Sequence, residues 1–340
     1  KSGVMRGSPP PAASGAGSGA EKSQKKIGLS LPGTARQNRE KGRYRVPEAG
    51  TRKGCGAQAL CMFSLAHRRG RAYKEGMKRI RCLLLTALCA LLIAVAPLCA
   101  SEEEPAPTPP GQDITWLPLE DGLDMAILTF TEKNGEDFSR RISIRALRFD
   151  TEHFDVCLYS SRWEGPGVPT LREWAEKKDL VAAINACMYL KDGQTSTGYM
   201  RGGENINNGR IVSRYGSFFV ASPRVPGLPR AAVLDRNEDD WRTLLPQYDI
   251  VVQNFRLMGP DGGQVWPENG PEHAVASIAE DMNGRILFLL STDPCSVHDF
   301  VSALNAHKNL NLNSAMYVEG GSEASMLLRL CGKIRLWNGM

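Results

Sequence analysis

Ser314-Ala-Met-Tyr-Val-Glu-Gly-Gly-Ser-Glu-Ala-Ser-Met-Leu-Leu-Arg-Leu330 is the stretch on which the reading of this chain turns. An apolar run of strand type, Ala315 to Val318, delivers a carboxylate, Glu319, into Gly320-Gly321, and a second apolar run, Met326 to Leu330, leads away. Paired glycines let the backbone reach positive φ and let another group come close, so a carboxylate with serines beside it can face a small ligand. A strand, a Gly-Gly turn and a strand also make an ordinary hairpin. Both readings stand at this point.

Upstream, Leu180-Val-Ala-Ala-Ile184 is apolar on both faces, as a central strand is, and runs out into Asn185-Ala-Cys-Met-Tyr189, then Thr197-Gly-Tyr-Met-Arg-Gly-Gly-Glu204. Amide, phenol and guanidinium groups at the exit of a buried strand suit hydrogen bonding to a sugar or phosphate. The plainer alternative has Asn185 capping a turn and Arg201 pairing with Glu204 in solvent. Ile250-Val-Val-Gln-Asn254 is a second inner strand ending in amides. His273 to Ala279, an Asn283-Gly284 turn and Arg285 to Ser291 read as a hairpin. Ser296-Val-His-Asp299 opens a helix reaching about Lys308, and Thr170-Leu-Arg-Glu173 is a capping box for a short helix to about Asp179. Asp124 to Thr131, Arg141 to Phe149, His153 to Ser160, Ser217 to Ala221 and Ala231 to Leu234 read as further strands, with a short helix over Glu238 to Leu245. The expected fold is one strand-rich α+β domain over residues 114–340, with mixed or antiparallel sheets and a few short helices.

The chain divides sharply before that domain. Residues 1–100 hold 19 Lys and Arg against 4 Asp and Glu, net +15, leaving 23 against 33 and net −10 in the other 240 residues. The overall +5 therefore says little about nucleic acid, and no nucleic-acid partner is expected. Residues 1–76, rich in Gly, Ser, Lys and Arg, read as a disordered basic segment, and a signal-like sequence opening at Met77 suggests that they lie upstream of the true start. Met77-Lys-Arg-Ile-Arg81, the apolar run Cys82 to Ala96 and the exit Pro97-Leu-Cys-Ala100 have the order of a secretory signal peptide over 77–100. That implies export to a periplasmic or extracellular site and only transient contact with a membrane. A Pro-rich linker over 101–113 follows.

Beyond the signal, Cys157, Cys187, Cys295 and Cys331 contain no Cys-x-x-Cys metal or redox pair, so zinc is not expected. The aspartates beside Gly or Pro show no calcium-loop spacing, and no metal or cofactor is assigned. One or two disulfides, or free buried thiols, are both compatible with their placement. Absence of Gly-x-Ser-x-Gly, Walker and dinucleotide fingerprints argues against serine hydrolases and nucleotide enzymes.

Taken in order, Ala183-Ile-Asn-Ala-Cys-Met-Tyr189, the amide-bearing strand before Gly259-Pro260, the Asn283-Gly284 hairpin, Ser296-Val-His-Asp-Phe300 and Ala315-Met-Tyr-Val-Glu-Gly-Gly-Ser322 resemble the phosphodiester glycosidase family. That family takes in the lysosomal uncovering enzyme and exported bacterial proteins associated with exopolysaccharide. The resemblance covers roughly Val181 to Leu330. Members usually carry glycine where Cys187 stands, arginine where His273 opens its strand, and aspartate where Glu319 stands. The resemblance implies cleavage of a sugar-phosphate diester, which needs a carboxylate near the anomeric carbon and cationic or hydrogen-bonding groups on the phosphate. It assigns Glu319 and His273 to catalysis, and Asn185, Tyr189, Arg201, Asn254, Gly320, Gly321 and Ser322 to substrate binding. The competing expectation is a catalytically silent carbohydrate-binding or exopolysaccharide-assembly module of the same fold.

Overall fold

Strand signals outnumber helix signals along the chain. The computed structural model, which describes residues 61–67, 104–134, 138–164 and 168–340, follows that balance. In chain order the strands begin with β1 (Cys61–His67), β2 (Pro107–Thr108), β3 (Leu117–Glu120), β4 (Leu123–Asn134), β5 (Phe138–Phe149) and β6 (Phe154–Ser160). They continue with β7 (Ala182–Asn185), β8 (Met200–Gly202), β9 (Asn205–Asn208), β10 (Ser217–Pro223), β11 (Ala231–Asp235) and β12 (Tyr248–Asn254). The last are β13 (Arg256–Met258), β14 (His273–Asp281), β15 (Ile286–Cys295), β16 (Leu312–Gly320), β17 (Ser325–Leu330) and β18 (Lys333–Asn338). The helices are α1 (Ser161–Glu164), α2 (Leu171–Lys178), α3 (Trp241–Leu244) and α4 (Val297–Ala306).

Three sheets result among the described residues. The largest runs β13-β16-β14-β15-β5-β4-β2, with β3 added on β4; the second runs β11-β10-β12-β8-β9; the third runs β18-β17-β7-β1-β6. Pairing between the strands is antiparallel except for the short parallel β2–β4 contact. With 49% strand and 15% helix among the described residues, the α+β expectation is corrected to a mostly β architecture with antiparallel sheets.

Alternation along each strand decides where the core lies. Inward residues of all three sheets, among them Phe63, Phe149, Ile184, Phe219, Val252, Phe288, Met316 and Met326, meet in one buried cluster. Outward residues are covered by helices: Met62, Ala183 and Leu327 by Leu171 and Trp174 of α2, and Leu287, Leu289 and Tyr317 by Phe300, Val301 and Leu304 of α4. Both helices start where their caps predict. Thr170 and Glu173 close a capping box, and Ser296 Oγ accepts from Asp299 N at 3.0 Å. The β14–β15 hairpin turns at Gly284, whose φ of +76° a glycine adopts without strain.

Two expectations about the N-terminal part are overturned. Cys61–His67, inside the segment read as disordered, is a strand paired with β6 on one side and β7 on the other. Cys61-Met-Phe-Ser-Leu65 is buried on both faces, and removing Met62, Phe63 and Leu65 from water stabilises the fold by about 1.5–3 kcal/mol each. An apolar run of that length, set among basic residues, has the composition of a central strand. The Pro-rich linker is likewise docked: Thr108 is buried, and its carbonyl lies 3.0 Å from His307 Nε2. The signal peptide expected at 77–100 lies outside the described residues.

Candidate functional site

Gly320-Gly321 does not turn a hairpin. β16 belongs to the largest sheet and β17 to the third, so the glycine pair carries the chain from one sheet to another. Gly321 has φ +67° and opens a single 3-10 turn, Gly321–Glu323, before β17 begins.

A bulge sets the aim of Glu319. Ala276 pairs with Glu319 and Ser277 with Tyr317, which leaves Val318 as the extra residue on β16. Two residues opposing one shift the side-chain alternation. Tyr317 therefore faces α4, while Glu319, opposite the core residue Ala276, turns toward the space where the sheets meet. The freed Val318 carbonyl accepts from Asn254 Nδ2 at 3.2 Å, and Asn254 is fully buried at the end of β12.

Glu319 is 5% exposed. Burial pushes its carboxyl up to about 8, opposed by the hydrogen bond from Gly320 N at 2.9 Å and helped by the negative charge of Glu323. At neutral pH it is a proton donor, whereas the base or nucleophile role implied by the resemblance needs the ionised form. Behind Gly320 stand His273 and Tyr317. A Cβ on Gly320 would collide with Tyr317 Oη and lie 2.9 Å from His273 Nδ1. His273 Nδ1 sits 2.8 Å from the Ala274 carbonyl, while His273 Nε2 and Tyr317 Oη are buried without a hydrogen-bond partner.

Asn185 joins this group through the turn that follows the glycines. Its Oδ1 accepts from Ser325 N at 2.7 Å and its Nδ2 donates to the Glu323 carbonyl at 3.0 Å, so it fixes the path of Gly321 to Ser325. Ser322 is exposed on the same turn. Tyr189 is placed on the loop after β7, where it bridges to Ser196. Arg201 goes elsewhere: its guanidinium donates to the Leu245 carbonyl at 2.9 Å and to the Tyr248 carbonyl, tying β8 to the α3 region. Pairing of Arg201 with Val251, an outward residue of β12, aims it away from the shared core. The structure thus gathers Asn185, Asn254, His273, Glu319 and Gly320 to Ser322 around the end of β16 and does not bring Arg201 to them.

Residues outside the sequence-derived set complete the surroundings. Cys61, at the start of β1, shares a hydrogen bond with Cys187, which pushes the Cys187 thiol up and the Cys61 thiol down. Cys61 Sγ also donates to Ser160 Oγ at 3.4 Å, and Ser160 Oγ accepts from Asn207 Nδ2 at 3.2 Å. Asn207 in turn holds the Ser196 backbone at 2.7 Å. Asn205-Ile-Asn-Asn208 carries the only local hint of this buried amide; nothing in the sequence near Cys61 points to the site. The five described cysteines are all free thiols. An open surface depression lined by Val168, Pro169, Glu173, Glu176 and Lys177 lies beside α2 and takes in none of these residues.

No family model and no curated protein matches the chain. Among solved structures it is similar to the zebrafish N-acetylglucosamine-1-phosphodiester alpha-N-acetylglucosaminidase catalytic domain, auto-inhibited by its pro-peptide. The TM-score is 0.42 at 12% identity, over 66% of this chain and 78% of that one. A hypothetical protein from Synechocystis gives 0.43 at 12% identity, over 66% and 61%. Both likenesses are distant ones of fold, and neither assigns a role to any residue here.

Proposed function

We propose that the chain is a glycosidase-like hydrolase that cleaves sugar-phosphate diesters of envelope or extracellular glycans after export, with Glu319 as its acid–base residue. The observation that carries this reading is Glu319 itself: a buried carboxyl, re-aimed by a bulge, beside a glycine pair and two polar atoms that lack partners. A protonated Glu319 hydrogen-bonds the bridging oxygen between the anomeric carbon and phosphorus and gives up its proton as the C–O bond breaks. Water attacks the anomeric carbon, and its proton passes to His273 Nε2. The products are a free sugar and a phosphomonoester. Amides of Asn185 and Asn254 hold the turn and the bulge that position the acid.

Incubating the purified full chain and Glu319→Gln with glycosyl-1-phosphate diesters tests the proposal. Sugar release by the parent and not by the variant supports it. A second reading, a carbohydrate-binding module without turnover, is favoured by the 5% exposure of Glu319 and the close packing over Gly320. Glycan binding with no sugar release selects that second reading.

A further inference from the structure

In the third sheet β1 lies between β7 and the edge strand β6. β6 pairs with it along its whole length, Cys61↔Ser160 to His67↔Phe154, and β7 pairs with Met62 to Leu65. β6 and β7 do not pair with each other, so the sheet without β1 has two facing edges whose backbone donors and acceptors lack partners. The edges are shaped for this occupant. Inward, Phe63 meets Phe219 edge-on with ring centroids 4.6 Å apart; outward, Met62 packs under Leu171 and Trp174. The two ends are clamped beyond the ladder: Val181 N donates to the Leu65 carbonyl at 2.8 Å and Ala186 N to the Cys61 carbonyl at 3.0 Å. His67 Nε2 lies 2.9 Å from Glu120 Oε2.

We propose that the slot between β6 and β7 is a strand-binding site whose occupant, residues 61–67, is held by the ladder and the core rather than by its covalent link to the body. The ligand class is an extended apolar peptide with large inward residues at alternate positions, here Cys61, Phe63 and Leu65, as strand addition requires. The described body resumes at Glu104, so a cut between His67 and Glu104 severs no pair of this ladder.

A protease site inserted between Arg71 and Gly76 of the full chain, cut after folding, tests the proposal by native size exclusion and mass spectrometry of the body peak. The fragment carrying residues 61–67 is expected to co-elute with the body and to separate only in urea. In a Phe63→Asp, Leu65→Asp chain treated identically, the fragment is expected to elute free. A labelled peptide spanning Leu60 to Arg68 is expected to fill the slot of the cut parent once its own fragment has been removed in urea and the urea dialysed away. It is not expected to fill that of an uncut chain treated the same way, whose tethered strand returns at high effective concentration. Free elution of the parent fragment from a body that keeps its far-UV circular dichroism overturns the proposal. An uncut chain that runs as a dimer, with the strand of one copy crosslinked into the slot of the other, supports it.

Discussion

Glu280 and Glu319 lie toward opposite ends of the β14–β16 ladder, and each stands beside a bulge. Burial pushes both carboxyls up, to about 7 for Glu280 and about 8 for Glu319. Their partners differ. Glu280 accepts from Val233 N at 2.8 Å, a donor on β11 in another sheet, beside Ser314 Oγ, which donates to the Val233 carbonyl. Glu319 accepts only from the next residue along its own chain, Gly320 N. One carboxyl satisfies a backbone group that the junction of two sheets would otherwise strand; the other joins nothing to anything. A buried acid with no structural duty, next to glycines and unpartnered polar atoms, is the one to test for chemistry.

The largest expected contrast is in turnover. Glu319→Gln is expected to reduce sugar-phosphodiester hydrolysis by about 10²–10⁴-fold, the usual contribution of a positioned acid or base, while Glu280→Gln leaves kcat within a few-fold. Equal losses in the two variants would erase the distinction. Next in size is Gly320→Ala. The new methyl meets Tyr317 Oη and His273 Nδ1, and such overpacking destabilises by about 1–3 kcal/mol, readable by urea denaturation; an unshifted midpoint would mean that the turn is looser than described.

The pH dependence sharpens the same contrast. Both carboxyls have folded pKa values above their unfolded ones, so between these values the folded state binds more protons and stability falls as pH rises. Loss begins above about 4.5 and is complete near 7 for Glu280 and near 8 for Glu319, with a slope of up to about 1.4 kcal/mol per pH unit for each. Denaturation curves between pH 5 and pH 8 should therefore flatten in part in Glu319→Gln and, over the lower half of that range, in Glu280→Gln. The smallest effect is expected from Tyr317→Phe. Its hydroxyl is buried without a partner, so removal should change stability by less than about 1 kcal/mol, and toward greater stability. A large loss would reveal a bound group at Tyr317 Oη.

What the sequence disclosed about this fold was local. The capping box at Thr170, the cap at Ser296 and the Asn283-Gly284 turn each bring their own partners within a few residues, so they read correctly without knowledge of the rest. The glycine pair after Glu319 was ambiguous because hairpin and sheet-to-sheet crossing share one local pattern; the pairing of β17 with β7, distant in sequence, decides it. β1 was hidden by its context, since charge statistics over 76 residues swamp five apolar ones. Bulge, core-facing acid and Asn207 network depend on register, which no single segment carries. Arg201 shows the converse error. Proximity in sequence to Asn185 and to glycines suggested a shared site, but strand alternation sends its side chain to the opposite face.

Asn254 gives the bulge a consequence of its own. In a regular ladder Val318 would find its mate across the strand; here its carbonyl rests on a side-chain amide from β12, and the surplus residue is latched in place. Were that latch a leucine, the strand could slide by one notch into ordinary pairing, and the acid would swing out from among the sheets toward the helix-covered side. The direction in which Glu319 looks is thus set by a residue 65 positions earlier in the chain.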